Sequence, residues 1–380
     1  MEFLMKSNTI IAVVMIFLLI FLGCGKKFRL KRDIEYPRSI WPYSGGYDGG
    51  TFASQKSDFS GNLNLKWRKR VSGIPIGPLS IGAGKLIVCT TTGRIYFFEL
   101  ENGRYLGKYK TKGNVQTGLT VVDSLAYFAM GPIKNRMVCL NLRNRKTLWL
   151  VKIKDVTGAP IIRLNRLYLA SASGWVECLN SLDGGIIWRD SVGAKSPAGP
   201  SFGEGIVYFP FDNGRLIGFE ELTGKMIINV DLKQPLVSKV TVDGMIFVSG
   251  VAGTFSALDK KTGKIIWERS FEWPIWTSPA TDENTVYVGD SGGLLRALDK
   301  NNGRTLWTFQ ADGVILSAPI TVGKYLIFAS LDKYLYCLDK KSGLLNSKWK
   351  NDHEIRFPAI SDGESVYVIS QDGLISCLGD

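Results

Sequence analysis

The sequence predicts an all-β protein, an eight-bladed β-propeller of four-stranded blades, closed by an N-terminal strand that completes the last blade. Three observations carry this prediction. A motif that usually ends in tryptophan recurs with a period of about forty residues, the length of a propeller blade. Each copy follows two further strand-like runs separated by glycine-bearing turns. The last unit lacks its fourth strand, and a matching strand stands alone near the N-terminus.

The clearest copies are FSALDKKTGKIIW, ending at Trp267, and LRALDKNNGRTLW, ending at Trp307. Others end at Trp149 and Trp188, weaker ones at Gly107 and Ile228, and LYCLDKKSGLLNSKW ends at Trp349 with two extra residues. The end points 107, 149, 188, 228, 267, 307 and 349 lie 39 to 42 residues apart. Upstream, segments such as TSPATDENTVYVGDSGG (277–293) and SAPITVGKYLIFASLDK (317–333) align with each other. Each unit is therefore an inner strand, a turn, an alternating second strand, a hairpin, a third strand and a tryptophan-bearing fourth. Beyond the N-terminal segment no stretch shows helical periodicity. The chain ends on FPAISDGESVYVISQDGLISCLGD, three strands without a fourth, and NLNLKW (62–67) supplies the missing one. Pairing the two removes the open edge between first and last blade. A blade is apolar on both faces, so Trp67, Trp149, Trp188, Trp267, Trp307 and Trp349 are expected to dock neighbouring blades. Loss of one such tryptophan would cost roughly 3–5 kcal/mol.

Residues 1–23 are expected to be a signal peptide: Lys6 precedes an apolar run, Ile10 to Leu22, of about 13 residues, too short for a bilayer span. FLGC (21–24) resembles a lipobox, which makes Cys24 the expected lipidation site, although Phe21 replaces the commoner leucine. Residues 24–60 then form a tether and entry segment, and 61–380 the propeller. The export signal places the protein in a bacterial cell envelope and argues against a nucleic-acid partner; Gly25 after Cys24, in place of the aspartate that serves some bacteria as an inner-membrane retention cue, favours the outer membrane facing the periplasm over the inner. Five cysteines remain beside Cys24. Four of them, Cys139, Cys178, Cys337 and Cys377, occupy the slot held by Ala257 and Ala297 in sister units, so they are expected to be small core thiols rather than disulfides.

The ALDxxTGxxxW pattern, best matched at Ala257–Trp267 and Ala297–Trp307, resembles the PQQ-like repeat. SIWPYSGGYDGG (39–50) also resembles the entry region of such proteins. The resemblance implies one of two classes. Quinoprotein dehydrogenases hold pyrroloquinoline quinone and calcium over the axis; lipoproteins of the BamB family are non-enzymatic accessories of outer-membrane barrel assembly. Chain size, lipobox and N-terminal closure are similar to the second class. Adjacent cysteines, long chamber-building insertions and a C-x-x-C-H haem string, marks of the first, are absent from the sequence, so no cofactor is expected and the quinone stays a disfavoured alternative. The long partner-gripping loop of the second class is also missing, since SVGAKSPAG (191–199) is short. The expected function is a non-enzymatic, exported protein-interaction scaffold. A PQQ-dependent oxidoreductase and a cell-envelope glycan binder stand as alternatives.

Local motifs add little chemistry. The single histidine, His353, leaves no histidine-based metal site or catalytic pair. Gly82-Ala83-Gly84-Lys85 precedes a strand, not the helix a phosphate loop requires. Asp212-Asn213-Gly214, Asp290-Ser291-Gly292 and Gln371-Asp372-Gly373 suit hairpin turns and lack the alternating acids of a calcium loop. Trp273 and Trp276, in a connection between blades, and Trp175, beside a hairpin glycine, are the candidate partner-binding residues, all on one rim. The net charge of +13 concentrates on the opposite rim, where Lys260, Lys261, Lys264, Lys300, Arg304, Lys340, Lys341, Arg143, Arg145 and Lys146 would gather into a basic ring. A further basic run, Lys26 to Arg32, follows Cys24 and suits an anionic membrane surface.

Overall fold

The computed structural model describes residues 53–54, 57–131 and 133–380. The expected signal segment 1–23, Cys24, the basic run after it and the entry stretch 39–50 lie outside the described residues.

The fifth blade shows how each unit forms. Thr241–Asp243, Met245–Ser249, Thr254–Leu258 and Ile265–Ser270 pair antiparallel in sequence order. The second and third strands are buried on both faces, while the outer strand leaves most positions exposed. The turn before the outer strand is built by Asp259. Its carboxylate accepts from the Thr262 hydroxyl and N–H, both at 2.7 Å, and from the Lys261 N–H. These bonds hold its pKa below the usual carboxylate range. Gly263, at φ +70°, closes the turn with an N–H to the Asp259 carbonyl. Seven consecutive sheets follow this plan among the described residues. In the eighth, Asn64–Arg70 pairs antiparallel with Leu374–Gly379, and Trp67 opposes Cys377. The expected closure between the chain ends is thus the one found. The seventh sheet gains a fifth strand, Ala53–Ser54, parallel to Ile320–Val322.

The expected tryptophans work through one backbone carbonyl per junction, that of the residue after the turn aspartate position. The indole N–H groups of Trp67, Trp149, Trp188, Trp267 and Trp307 donate to the carbonyls of Leu100, Ser181, Glu221, Lys300 and Lys340 in the next blade, at 2.7 to 3.3 Å. Four of these carbonyls also accept a second-strand tyrosine: Tyr367, Tyr127, Tyr168 and Tyr287 respectively for Leu100, Ser181, Glu221 and Lys340. The indole face lies on the next blade's turn glycine. A Cβ on Gly103, Gly184, Gly224, Gly303 or Gly343 would come within 2.5 to 2.8 Å of it. In every sheet a register shift separates the docking position from the residue two before it, turning the docking side chain toward its neighbour.

Trp349 departs from expectation. Cys337 faces Ser347, as Ala297 faces Trp307, and Trp349 faces Leu335 instead. The strand holds its normal register, so no residues are inserted and the tryptophan comes two positions past the docking place. There it carries the Arg68 guanidinium, 5.2 Å from its ring. Ser347 and Asn346 instead donate to the carbonyl of Gly61, at 2.6 and 2.8 Å, and Tyr325 donates to Ser60. The eighth blade has no chain turn at this point because its outer strand arrives from the N-terminus. Ser60 and Gly61 therefore stand in for that turn.

The five cysteines of the propeller are free and buried. Burial pushes the thiols up to about 12 for Cys89, Cys178 and Cys337 and about 11 for Cys139 and Cys377.

Two outcomes are expected. In urea unfolding, Trp149→Ala loses about 3–5 kcal/mol, whereas Trp349→Ala loses about 1 kcal/mol, the scale of a partly exposed cation–π contact. In alkylation at pH 8 followed by mass spectrometry, the five propeller thiols stay unlabelled until denaturant is added.

Candidate functional site

The two rims of the ring are unequal. One carries the turns that hold the docking carbonyls. The other carries the hairpins between second and third strands and the connections from outer to inner strand; Ser291 N–H to the Pro274 carbonyl, 2.9 Å, ties one such connection to its hairpin.

The turn rim is less free than its basic composition implies. Lys260 pairs with Glu204, Lys300 with Asp243 at 2.7 Å, and Lys340 with Asp282 at 3.4 Å. In each pair the lysine follows the turn aspartate of one blade and the acid belongs to the preceding blade. Arg163 and Glu221 make the same link with the charges exchanged. Arg145, at φ +59°, holds the place of a turn glycine and its guanidinium lies beside Gly107, where a neighbour would have tryptophan. The expected basic ring is thus partly consumed in blade-to-blade contacts.

The hairpin rim holds the three candidate tryptophans. Trp273, Trp276 and Trp175 are 48%, 43% and 39% exposed, unlike the buried Trp67, Trp149 and Trp267. Trp273 rests against Gly292, where an added Cβ would be 2.3 Å from the indole. Trp175 lies beneath the Arg189 guanidinium, 5.1 Å from its centre. The structure sets Trp273 and Trp276 at the entrance to the sixth blade and Trp175 in the third, with two whole blades between.

At the centre of this rim the connections converge on an axial mouth of about 310 Å³, to which all eight blades contribute. Trp276, Phe357, Leu316 and Val237 give it apolar walls; Gln116, Thr117, Ser238 and Ser278 add polar groups. Lys239 also lines it and is only 7% exposed. Burial pulls its pKa down to about 8. No local motif marks Lys239 in the sequence. Its signal was positional, because sister units place Gly118, Ala159, Gly199 and Ser278 there. No carboxylate is among the described lining residues. A calcium ion needs several oxygen ligands with acidic members, so this donor set does not fit the calcium-bound quinone that the fold suggests, and no step is drawn through it.

Lys239 also shapes pH dependence. Its folded pKa lies below the unfolded value, so between pH about 8 and 10.5 the unfolded chain binds more protons and stability rises with pH. Relative to Lys239→Met, the wild-type protein is expected to gain stability across that window in chemical denaturation, and to differ from it by a constant amount below pH 7.

The family model described as outer membrane protein assembly factor BamB matches residues 172–379. The chain is 24% identical over 170 residues to outer membrane protein assembly factor BamB of Yersinia pestis, covering 40% of this chain and 43% of that one. It is 25% identical over 229 residues to the protein of the same name from Burkholderia pseudomallei, covering 53% and 59%. These matches span about half the length of the relatives. Among solved structures, BamB from Moraxella catarrhalis superposes with a TM-score of 0.71 at 17% identity, covering 84% of this chain and all of that one. Quinohemoprotein alcohol dehydrogenase from Comamonas testosteroni gives 0.73 at 13% identity, covering 90% and 80%. At such identities the two structures show the shared fold alone.

Proposed function

Since the chain belongs to the family of outer membrane protein assembly factor BamB, we propose that it is a non-enzymatic, exported lipoprotein scaffold that binds protein partners in the cell envelope. Outer-membrane protein assembly is its setting, taken from the names of its relatives. Its organisation is a signal peptide 1–23, a tether and entry segment 24–60 anchored by lipid at Cys24, and the propeller 61–380.

The observation that carries this reading is the exposure of Trp273 and Trp276 on the hairpin rim. Apolar aromatics left half exposed next to a concave mouth are the residue type that dominates binding hot spots. The docking network engages part of the opposite rim, and the tryptophans of the hairpin rim are half exposed where the docking tryptophans are buried. The likeness to dehydrogenases rests on fold, and the described residues that line the mouth include no carboxylate to hold a calcium ion.

The test is capture of envelope proteins by the purified chain after crosslinking. The double change Trp273→Ala with Trp276→Ala is expected to reduce capture at least about tenfold, the loss of one hot spot or more, with the melting temperature little changed. Undiminished capture by the folded double variant would overturn the assignment. Separately, Cys24→Ala is expected to move the protein from the membrane to the soluble envelope fraction on cell fractionation.

A further inference from the structure

The circumference of the ring is built from the outer strands, and their charge is unevenly divided. Leu345–Lys350, Asn64–Arg70, Tyr105–Lys110 and Lys146–Lys152 belong to the seventh, eighth, first and second blades, four neighbours in the ring. Together they carry ten lysines and arginines and no acid. The other four, Ile186–Ser191, Met226–Asp231, Ile265–Ser270 and Thr305–Gln310, carry two arginines, three acids and no lysine.

Little within the fold neutralises the basic half. Arg68 pairs with Asp352 at 2.9 Å and Arg70 with Asp372. Lys348 and Lys350 share Tyr334, 4.7 and 5.6 Å from its ring centre, and Lys108 lies 5.9 Å from that of Tyr96. Among the described residues no acid forms an ion pair with these three lysines, nor with Lys69, Lys110 or Lys152. Residues two apart on a strand stand about 7 Å from one another, inside a Debye length of about 8 Å at physiological ionic strength. Lys348 with Lys350, and Lys108 with Lys110, therefore repel each other with little screening. Lysine on a sheet edge does keep the edges of separate molecules apart. That duty falls equally on all eight outer strands, and four of them have no lysine. Exposed Leu65, Tyr105, Leu148, Leu150 and Leu345 stand among the bases on the same strands. A soluble polyanion engages the charge alone, whereas a lipid surface takes both charged and apolar side chains.

We propose that the outer strands of the seventh, eighth, first and second blades form a wall that docks on an anionic lipid surface. A ring resting on its side leaves both rims uncovered, so lipid contact and the protein capture assigned to the hairpin rim use different surfaces.

The test is lysine acetylation of the full-length chain on vesicles, read residue by residue by mass spectrometry. Vesicles of phosphatidylethanolamine with phosphatidylglycerol are set against phosphatidylcholine alone. The anchor proposed at Cys24 would hold the chain on both, so failure of the anchor shows separately, as no sedimentation with phosphatidylcholine. On the anionic vesicles Lys69, Lys108, Lys110, Lys152, Lys348 and Lys350 are expected to react about fivefold more slowly. High salt is expected to abolish the difference. Lys225, Lys261 and Lys264, exposed on the fourth and fifth blades, are expected to react alike on both. Lys108→Gln with Lys110→Gln, both at exposed positions, is expected to weaken protection of Lys69 and Lys152 on either side while the melting temperature holds. Absent protection, protection spread over both halves of the ring, equal protection on the two kinds of vesicle, or equal protection by soluble polyglutamate would overturn the proposal.

Discussion

At six of its eight junctions the ring depends on a backbone carbonyl at the turn before the outer strand, offered to the blade behind it. Where the preceding blade supplies both a tyrosine and a tryptophan, as at Ser181, Glu221, Lys340 and Leu100, two donors converge on one oxygen. A buried indole or phenol left unpaired costs more than the bond itself returns, so the arrangement satisfies the wedge that packs the junction. The turn glycine beneath the indole then has a second reason to be glycine: positive φ, and no room for a Cβ.

Junctions that depart from this pattern compensate locally. The fourth blade has Ile228 in place of tryptophan, and Tyr208 alone donates to the Lys260 carbonyl at 2.7 Å. The fifth has Phe247 in place of tyrosine, and Trp267 alone donates to Lys300. The first blade exchanges sizes: Phe97 fills the slot where sister units put Cys, Ala or Gly, and Gly107 faces it where most of them put tryptophan. Arg145 of the next blade extends into that space. Close-packed interiors conserve volume at a contact rather than any one residue.

The same network divides the two rims. Lysines on the turn rim link to acids of the preceding blade, whereas the connections at the opposite rim are tied to the hairpins mainly by backbone bonds, such as Ser291 N–H to Pro274, Val251 N–H to Pro235 and Leu331 N–H to Val314. That leaves the hairpin rim able to vary in composition without loosening the ring. Tryptophans on it, and a lysine at its centre, are changes that the fold permits and does not require.

The period, the strand count and the closure between residues 62–67 and the C-terminal strands were legible in the chain, because each blade repeats the same alternation and the ends lack complementary pieces. The small slot opposite the docking tryptophan was legible too, since Cys139 and Cys178 stand where Ala257 and Ala297 do. Three-dimensional pairing had to supply the rest. Trp349 looked like a docking residue because spacing was counted to the nearest tryptophan, whereas the hydrogen-bonded register selects Ser347. The basic turns looked like a free ring because their acids lie about a blade away in sequence. Lys239 drew no attention in a segment of ordinary residues, and becomes conspicuous once eight such segments meet around one axis. Local pattern fixes what each blade is; which side chains share a junction or an axis depends on contacts between residues tens to hundreds of positions apart.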